Sequence, residues 1–157
     1  MARDTKSEKN ITEKEVAKKD YVFAVGRRKE SVARVRLYPK DSIVWGVEVK
    51  KGDIIVNKRS ALEYFGSESE KVFREPLIVT NTEKKFAVTV KAQGGGNAGQ
   101  LGATILGIAR ALDQSDKEKF HSILKKRGLL TRDARVRERR KVGMGGKSRR
   151  KKQSPKR

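Results

Sequence analysis

The stretch FAVTVKAQGGGNAGQLGATILGIARAL, residues 86–112, decides the fold. Phe86, Val88, Val90 and Ala92 alternate with Ala87, Thr89 and Lys91, which is the period of a strand, and that strand runs into a glycine loop. From Gly99 onward the period changes: Leu101, Ile105, Ile108, Ala109 and Leu112 fall at helical spacing. Gly94-Gly95-Gly96-Asn97-Ala98-Gly99 satisfies G-x-G-x-x-G between a strand and a helix, the context of a dinucleotide-binding fingerprint. That fingerprint needs its helix to lead into a second parallel strand ending in an acidic residue that holds the ribose. Here Ser115 to Arg127 reads as another helix, with Asp116 and Glu118 in its first turn. The motif also stands two-thirds along the chain, leaving no room for the remaining α/β units. A Walker A loop fails because Gln100 and Leu101 occupy the places that need Lys and Ser or Thr. Two compatible readings of the glycines remain. They offer bare backbone N–H groups at a positive helix end to an anion such as an RNA phosphate, or they supply positive φ angles and close helix–sheet approach.

Upstream, the pattern is one of strands. Tyr21-Val22-Phe23-Ala24-Val25 is a short apolar run closed by Gly26. After a basic turn at Arg27, Arg28 and Lys29, the residues Ala33, Val35 and Leu37 alternate with Arg34 and Arg36, predicting a half-buried strand ended by Pro39. The pair forms a hairpin with a cationic outer face. Ile43-Val44-Trp45 and Val47-Glu48-Val49 predict a further strand broken at Gly46, and Lys51-Gly52-Asp53 turns the chain into Ile54-Ile55-Val56. Ser60 is placed to cap a short helix through Phe65, with Gly66 stopping it. A last helix starts at Ser115 or Asp116, with Phe120, Ile123 and Leu124 inward and Gly128 past its end. Strands first, then helices, predicts an α+β domain of two layers.

The charge is far from balanced. The 157 residues carry 40 Lys and Arg against 19 Asp and Glu, a net +21. It divides the chain into three parts. Residues 1–20 hold six basic and five acidic residues and read as a polar, mobile extension. Residues 21–130 hold almost all the apolar content, enough for a globular domain, with a net +9. Residues 131–157 carry thirteen Lys or Arg against Asp133 and Glu138, with Val136, Val142 and Met144 as their only sizeable aliphatic side chains. Such a segment cannot offset its own ordering entropy and is expected to be an extended tail. Cations this dense repel one another unless a polyanion neutralises them, which points to nucleic acid.

Other classes fare worse. A membrane-surface helix needs Trp, Phe or Leu opposite its charges, and the tail lacks that face. No apolar run approaches a bilayer span, and the N-terminus has no signal-peptide core. The absence of Cys excludes disulfides, Cys-based metal sites and thiol catalysis, and fits an intracellular protein. His121, the one histidine, stands beside Phe120 among Lys and Ser, and no His–acid grouping suggests a metal or a triad, so neither an enzyme nor a cofactor is expected.

Four stretches of this sequence resemble the bacterial-type small-subunit ribosomal protein family usually numbered nine. They are Val25 to Leu37 (VGRRKESVARVRL), Gly94 to Ala103 (GGGNAGQLGA), Gly107 to Leu112 (GIARAL), and Leu129 to Lys141 (LLTRDARVRERRK), before a close on Lys156-Arg157. Several motifs in family order are far more specific than any one of them. The resemblance implies a mainly antiparallel sheet packed by helices, with a left-handed βαβ crossover that departs from the usual handedness rule. It implies a structural constituent of the cytoplasmic ribosome, seated on ribosomal RNA in the small-subunit head among neighbouring head proteins, with no small-molecule substrate. The family's tail threads through RNA toward the peptidyl site, which makes Arg157 and its neighbour Lys156 the residues that face the bound tRNA.

On this reading the ribosomal RNA contacts come from three places. The hairpin supplies Arg27, Arg28, Lys29, Arg34 and Arg36, and the glycine junction supplies Gly94, Gly95, Gly96 and Gln100, with Arg110 in the helix beyond. The tail supplies Arg132, Arg135, Arg137, Arg139, Arg140, Lys141, Lys147, Arg149, Arg150, Lys151 and Lys152. Three departures qualify the resemblance. Ile105 and Leu106 stand where the family commonly has Arg-His, which turns that position toward packing. Gln153-Ser154-Pro155-Lys156-Arg157 replaces an ending that usually carries Phe, and Pro155 stiffens the approach to the last two residues. Residues 41–51 look inserted, and Trp45 within them is expected to pack an enlarged hairpin rather than stack on a base.

Overall fold

The first hairpin forms where the alternation is cleanest. In the computed structural model, which describes residues 20–142, β1 (Val22–Arg28) pairs antiparallel with β2 (Ser31–Tyr38), from Val22 opposite Leu37 to Arg28 opposite Ser31. Two small strands follow, β3 (Ser42–Val44) and β4 (Val47–Val49), then β5 (Ile54–Val56) and β6 (Arg59–Ser60). The helices are α1 (Ala61–Phe65), α2 (Glu70–Val79), α3 (Asn97–Ser115) and α4 (Lys117–Lys126), with β7 (Ala87–Gln93) between α2 and α3.

The main sheet has the order β1-β2-β7-β5-β6, and every pairing is antiparallel except that of β5 with β7. That parallel pair is joined through β6, α1 and α2, so the chain makes one βαβ crossover inside a mostly antiparallel sheet. The architecture is α+β, with helices packed on the sheet. Central β7 is buried on both faces from Ala87 to Val90. Thr89 therefore has only 1% of its surface exposed although it alternates with Val88 and Val90.

The core lies between the sheet and the helices, where Leu37, Phe73, Leu77, Ile108, Leu112 and Leu124 are all fully buried. Burying each contributes about 1.5–3 kcal/mol. Gly26 does not close β1; the strand runs on to Arg28. The bare Cα lets α3 cross at backbone distance, since a Cβ there would land on the Ala103 carbonyl oxygen. Gly107 answers it from the helix side, where a Cβ would stand 2.5 Å from Val35 Cγ2.

Several local expectations need correction. β3 and β4 are not one broken strand but a hairpin of their own, turned by Trp45 and Gly46, both at positive φ. Type I′ geometry has that signature and matches strand twist. The hairpin folds onto the outer sheet face, where Tyr38, Val44, Val49 and Ala87 form a second small core with Trp45 packed against it. Trp45 does pack. Helix α2 has no counterpart in the sequence reading. Its Pro76 discourages a helical assignment, yet Phe73, Pro76 and Leu77 face the core. Ser60 occupies the N-cap of α1 but makes no side-chain cap bond. Helix α3 begins two residues before Gly99, and Ile123 on α4 is 40% exposed rather than inward. Leu106 is buried and Ile105 packs against the core, so that pair serves packing.

Candidate nucleic-acid interface

The glycine junction is first a piece of structure. Gly94 and Gly95 hold φ of 75° and 59°, which L side chains rarely adopt. They wrap the β1–β2 turn closely. A Cβ on Gly94 would stand 2.7 Å from the Glu30 carbonyl oxygen, and one on Gly99 2.6 Å from Ser31 Oγ. The buried Ser31 hydroxyl donates to the Gly94 carbonyl at 3.0 Å.

A chain of side-chain bonds then braces the loop. Gln100 Nε2 donates to the Gly94 carbonyl at 3.1 Å, and its Oε1 accepts the Tyr64 hydroxyl at 2.7 Å. The Tyr64 oxygen accepts Asn57 Nδ2 at 3.2 Å, and the Asn57 amide pairs with both the N–H and the C=O of Ala92 at 3.0 Å each. Gln100 is thus committed at both ends to holding the loop. Residues 94–98 stay exposed, and α3 starts with no side-chain cap and no acidic residue in its first turn. After α3 comes α4 rather than a parallel strand, which removes the dinucleotide reading.

The predicted cations divide into two kinds. Arg27, Lys29 and Arg34 are exposed, and Arg34 lies in register between Val25 and Lys91 on the outer face of the sheet. Arg36 is half-buried, with its guanidinium 5.0 Å from the Tyr21 ring centroid. The outward residues of β1, β2 and β7 include no Asp or Glu. Arg110 and Arg28, in contrast, are engaged within the fold. Arg110 donates to the Val25 carbonyl at 3.0 Å, on the outermost strand. Arg28 reaches Asp133, 105 residues away, with its Nη1 2.9 Å from Oδ1. The same nitrogen donates to the carbonyls of Asp133 at 3.2 Å and Arg135 at 2.9 Å.

Asp133 is the residue that sequence reasoning missed. Arg135 grips its carboxylate through Nε and Nη2, at 3.0 and 2.6 Å to Oδ2, while the Arg135 N–H donates to Oδ1 at 2.9 Å. This Arg135 contact, then its backbone bond and the nearby Arg28 charge, hold the Asp133 carboxyl well below the usual carboxylate range. An Asp two residues before its backbone partner is an Asx-turn pattern, and that spacing was the available signal. Arg28 therefore fastens the start of the tail to β1, and Arg135 closes the turn that it holds. Beyond this point Arg137, Arg139, Arg140 and Lys141 are exposed without regular structure, and so is Arg132 just before it. Lys147, Arg149, Arg150, Lys151, Lys152, Lys156 and Arg157 lie outside the described residues.

One His–acid pair carries no sign in the sequence: His121 Nδ1 lies 2.8 Å from Asp113 Oδ1 across the α3–α4 corner. Both side chains are partly exposed, and among the described residues no group of three His, Cys, Asp or Glu could hold a metal ion. Among the described residues no helix is long and apolar enough to cross a membrane.

Compared with known protein families, residues 26–157 match the family described as ribosomal protein S9/S16. The match covers far more than half of the chain, and the chain belongs to that family. Its members are structural proteins of the ribosome that bind ribosomal RNA, a family of translation components rather than of enzymes.

Proposed function

We propose that this chain is the small-subunit ribosomal protein usually numbered nine, of bacterial type, in cytoplasmic ribosomes. Its domain, residues 21–130, seats on ribosomal RNA in the subunit head beside other head proteins. Residues 131–157 thread onward through RNA, so that Lys156 and Arg157 meet the peptidyl-site tRNA, and residues 1–20 remain a peripheral extension. The observation that carries this reading is the separation of charge: over half of the net +21 lies in the last 27 residues, nearly without apolar side chains. Geometry supports it. Twenty-seven extended residues span roughly 90 Å, against a radius of gyration of about 13 Å for the domain. The tail can touch a site its own domain cannot. The exposed Arg27, Lys29, Arg34 and Lys91 on the sheet side fit a backbone-reading surface, since phosphate contacts set position and orientation.

Two experiments test it. The chain should stay with small subunits through a moderate-salt wash, whereas a free histone-like nucleic-acid binder, the competing reading, would wash away. Removing Lys156 and Arg157 should then speed tRNA dissociation from the peptidyl site of purified subunits while assembly proceeds. Each is a cation in a wet, screened setting, so the loss should be about 1 kcal/mol or less per residue. Arg157 should contribute more, through bidentate contact with phosphate. An unchanged rate for that variant, with a raised rate only on truncation to Leu130, would move the tRNA contact to the earlier tail.

A further inference from the structure

Phe23 is the one aromatic residue among the described residues that stands exposed. It points outward from β1, between the inward Val22 and Ala24, and is 43% exposed. No other aromatic ring stands among the large apolar side chains that the described residues leave exposed. It belongs to neither apolar cluster and pairs with no other ring among the described residues. The β3–β4 hairpin covers the neighbouring part of this face over Tyr38 and Ala87 and leaves Phe23 open.

Its surroundings are cationic. Arg36 is its direct cross-strand partner, held by the Tyr21 ring, and Arg34 is the diagonal one, with Lys91 beside Arg34 on β7. A flat apolar ring beside Arg and Lys on strands whose outward residues carry no carboxylate suits a ligand that is both a polyanion and a π-face. A nucleobase of single-stranded RNA has both properties, because its phosphates can meet the Arg and Lys heads while its base lies on the ring. Duplex RNA keeps its bases stacked inside and can use only the cations.

We propose that Phe23 is a stacking platform for one unpaired RNA base, with Arg34, Arg36 and Lys91 holding the flanking phosphates. The proposal rests on the RNA-binding reading above and adds a recognition mode and a place. It gives the sheet face a contact that depends on RNA being unpaired, which the tail's charge cannot supply.

The test uses the full chain with an unstructured single-stranded RNA of about twelve nucleotides bearing 5-iodouracil, and a duplex of equal length. Photocrosslinking followed by peptide mass spectrometry should place an adduct on Phe23. Phe23→Leu keeps the apolar bulk and should weaken single-strand binding at least fivefold, about the effect of losing one stacked base. It should leave duplex affinity and the salt dependence of both unchanged, and Phe23→Tyr should restore binding to within about twofold. Adducts confined to other residues, with Phe23→Leu binding like the native chain, would overturn the proposal. Equal weakening for single strand and duplex would do the same. Crosslinks from Phe23 to a neighbouring protein in purified subunits, with no RNA adduct, would replace the base with an acidic protein partner. Failure of the native chain to bind either RNA would instead remove the RNA-binding reading underneath.

Discussion

Replacing Gly26 with Ala should do more damage than a single methyl group suggests. The new Cβ would land on the Ala103 carbonyl oxygen and 2.5 Å from the Gly107 nitrogen, where ordinary contact needs 3.4–4 Å. Both obstacles are helix backbone, pinned by the hydrogen bonds of α3, so no side chain can swing aside. Helix and strand must separate by about an ångström along the packing of Ala24, Ala33, Val35 and Ile108. Overpacking of this kind costs about 1–3 kcal/mol or more, and the gain in strand propensity from losing a glycine returns only about 0.5–1 kcal/mol. The net loss should be about 0.5–2 kcal/mol, or roughly 2–8 °C in melting temperature for a domain of this size. Gly102→Ala is the control. Its Cβ would meet only the Arg28 side chain, with Cγ nearest at 3.0 Å, and α3 would gain up to about 1 kcal/mol of helix propensity. Urea unfolding followed by circular dichroism measures both, with an unchanged slope confirming that the unfolded state is not the cause. If the two variants lie within about 0.5 kcal/mol of each other, the backbone contact between β1 and α3 is not what the close approach implies.

Three further outcomes are open to direct measurement. RNA affinity of the full chain should fall with salt at a log–log slope of about −4 to −7, for about six to ten phosphate contacts, and deleting residues 131–157 should more than halve that slope. Asp133→Asn should release the Arg135 guanidinium, leaving Arg28 on the two backbone carbonyls, and steepen the slope by about one unit; amide exchange at Arg135 should rise at the same time. Because Arg135 depresses the Asp133 carboxyl, the native clasp should persist above the ordinary carboxylate pKa near 4 and open only as pH falls below it, readable from the Arg135 amide signal. Tyr64→Phe removes the hydroxyl between Asn57 and Gln100 and should cost about 1 kcal/mol in urea unfolding while loosening the glycine loop.

Much of the fold was legible because its main strands keep strict alternation. Ala33, Val35 and Leu37 read as one face of β2, and Phe86 to Ala92 read as the strand before the glycines. Asp116 and Gly128 bracket α4 as cap chemistry requires, with the Asp116 carboxylate accepting from the Lys119 N–H and Gly128 at φ 71°. What failed depended on partners distant in sequence. Gly26 looks like a terminator until α3 lies across it. Pro76 looks like a breaker until Phe73 and Leu77 find the core. The cationic hairpin face was legible as composition, but Arg28 of the hairpin and Arg110 of α3 bond carbonyl groups that only the tertiary fold brings near.

The clasp at Asp133 changes how the tail should be understood. A flexible chain leaving the domain at residue 131 would search a wide volume, and each of its screened contacts is too weak to fix its path. Arg28 fastens the carbonyls of Asp133 and Arg135, so the exposed run begins at a defined place and heading beside β1. The four residues from 131 to 134 forfeit roughly 14 Å of reach. The residues beyond can in extended form still reach far past the domain radius, and on the proposed RNA-binding reading a fixed starting point raises the effective concentration of each later cation at a phosphate. A net negative residue inside a polycationic segment, which weakens attraction to RNA when counted as charge, strengthens it when counted as geometry. That is why Asp133→Asn should separate the two effects: a steeper salt slope from the released Arg135 guanidinium, together with a slower approach to the native tail path during subunit assembly as the turn beneath Arg28 loosens.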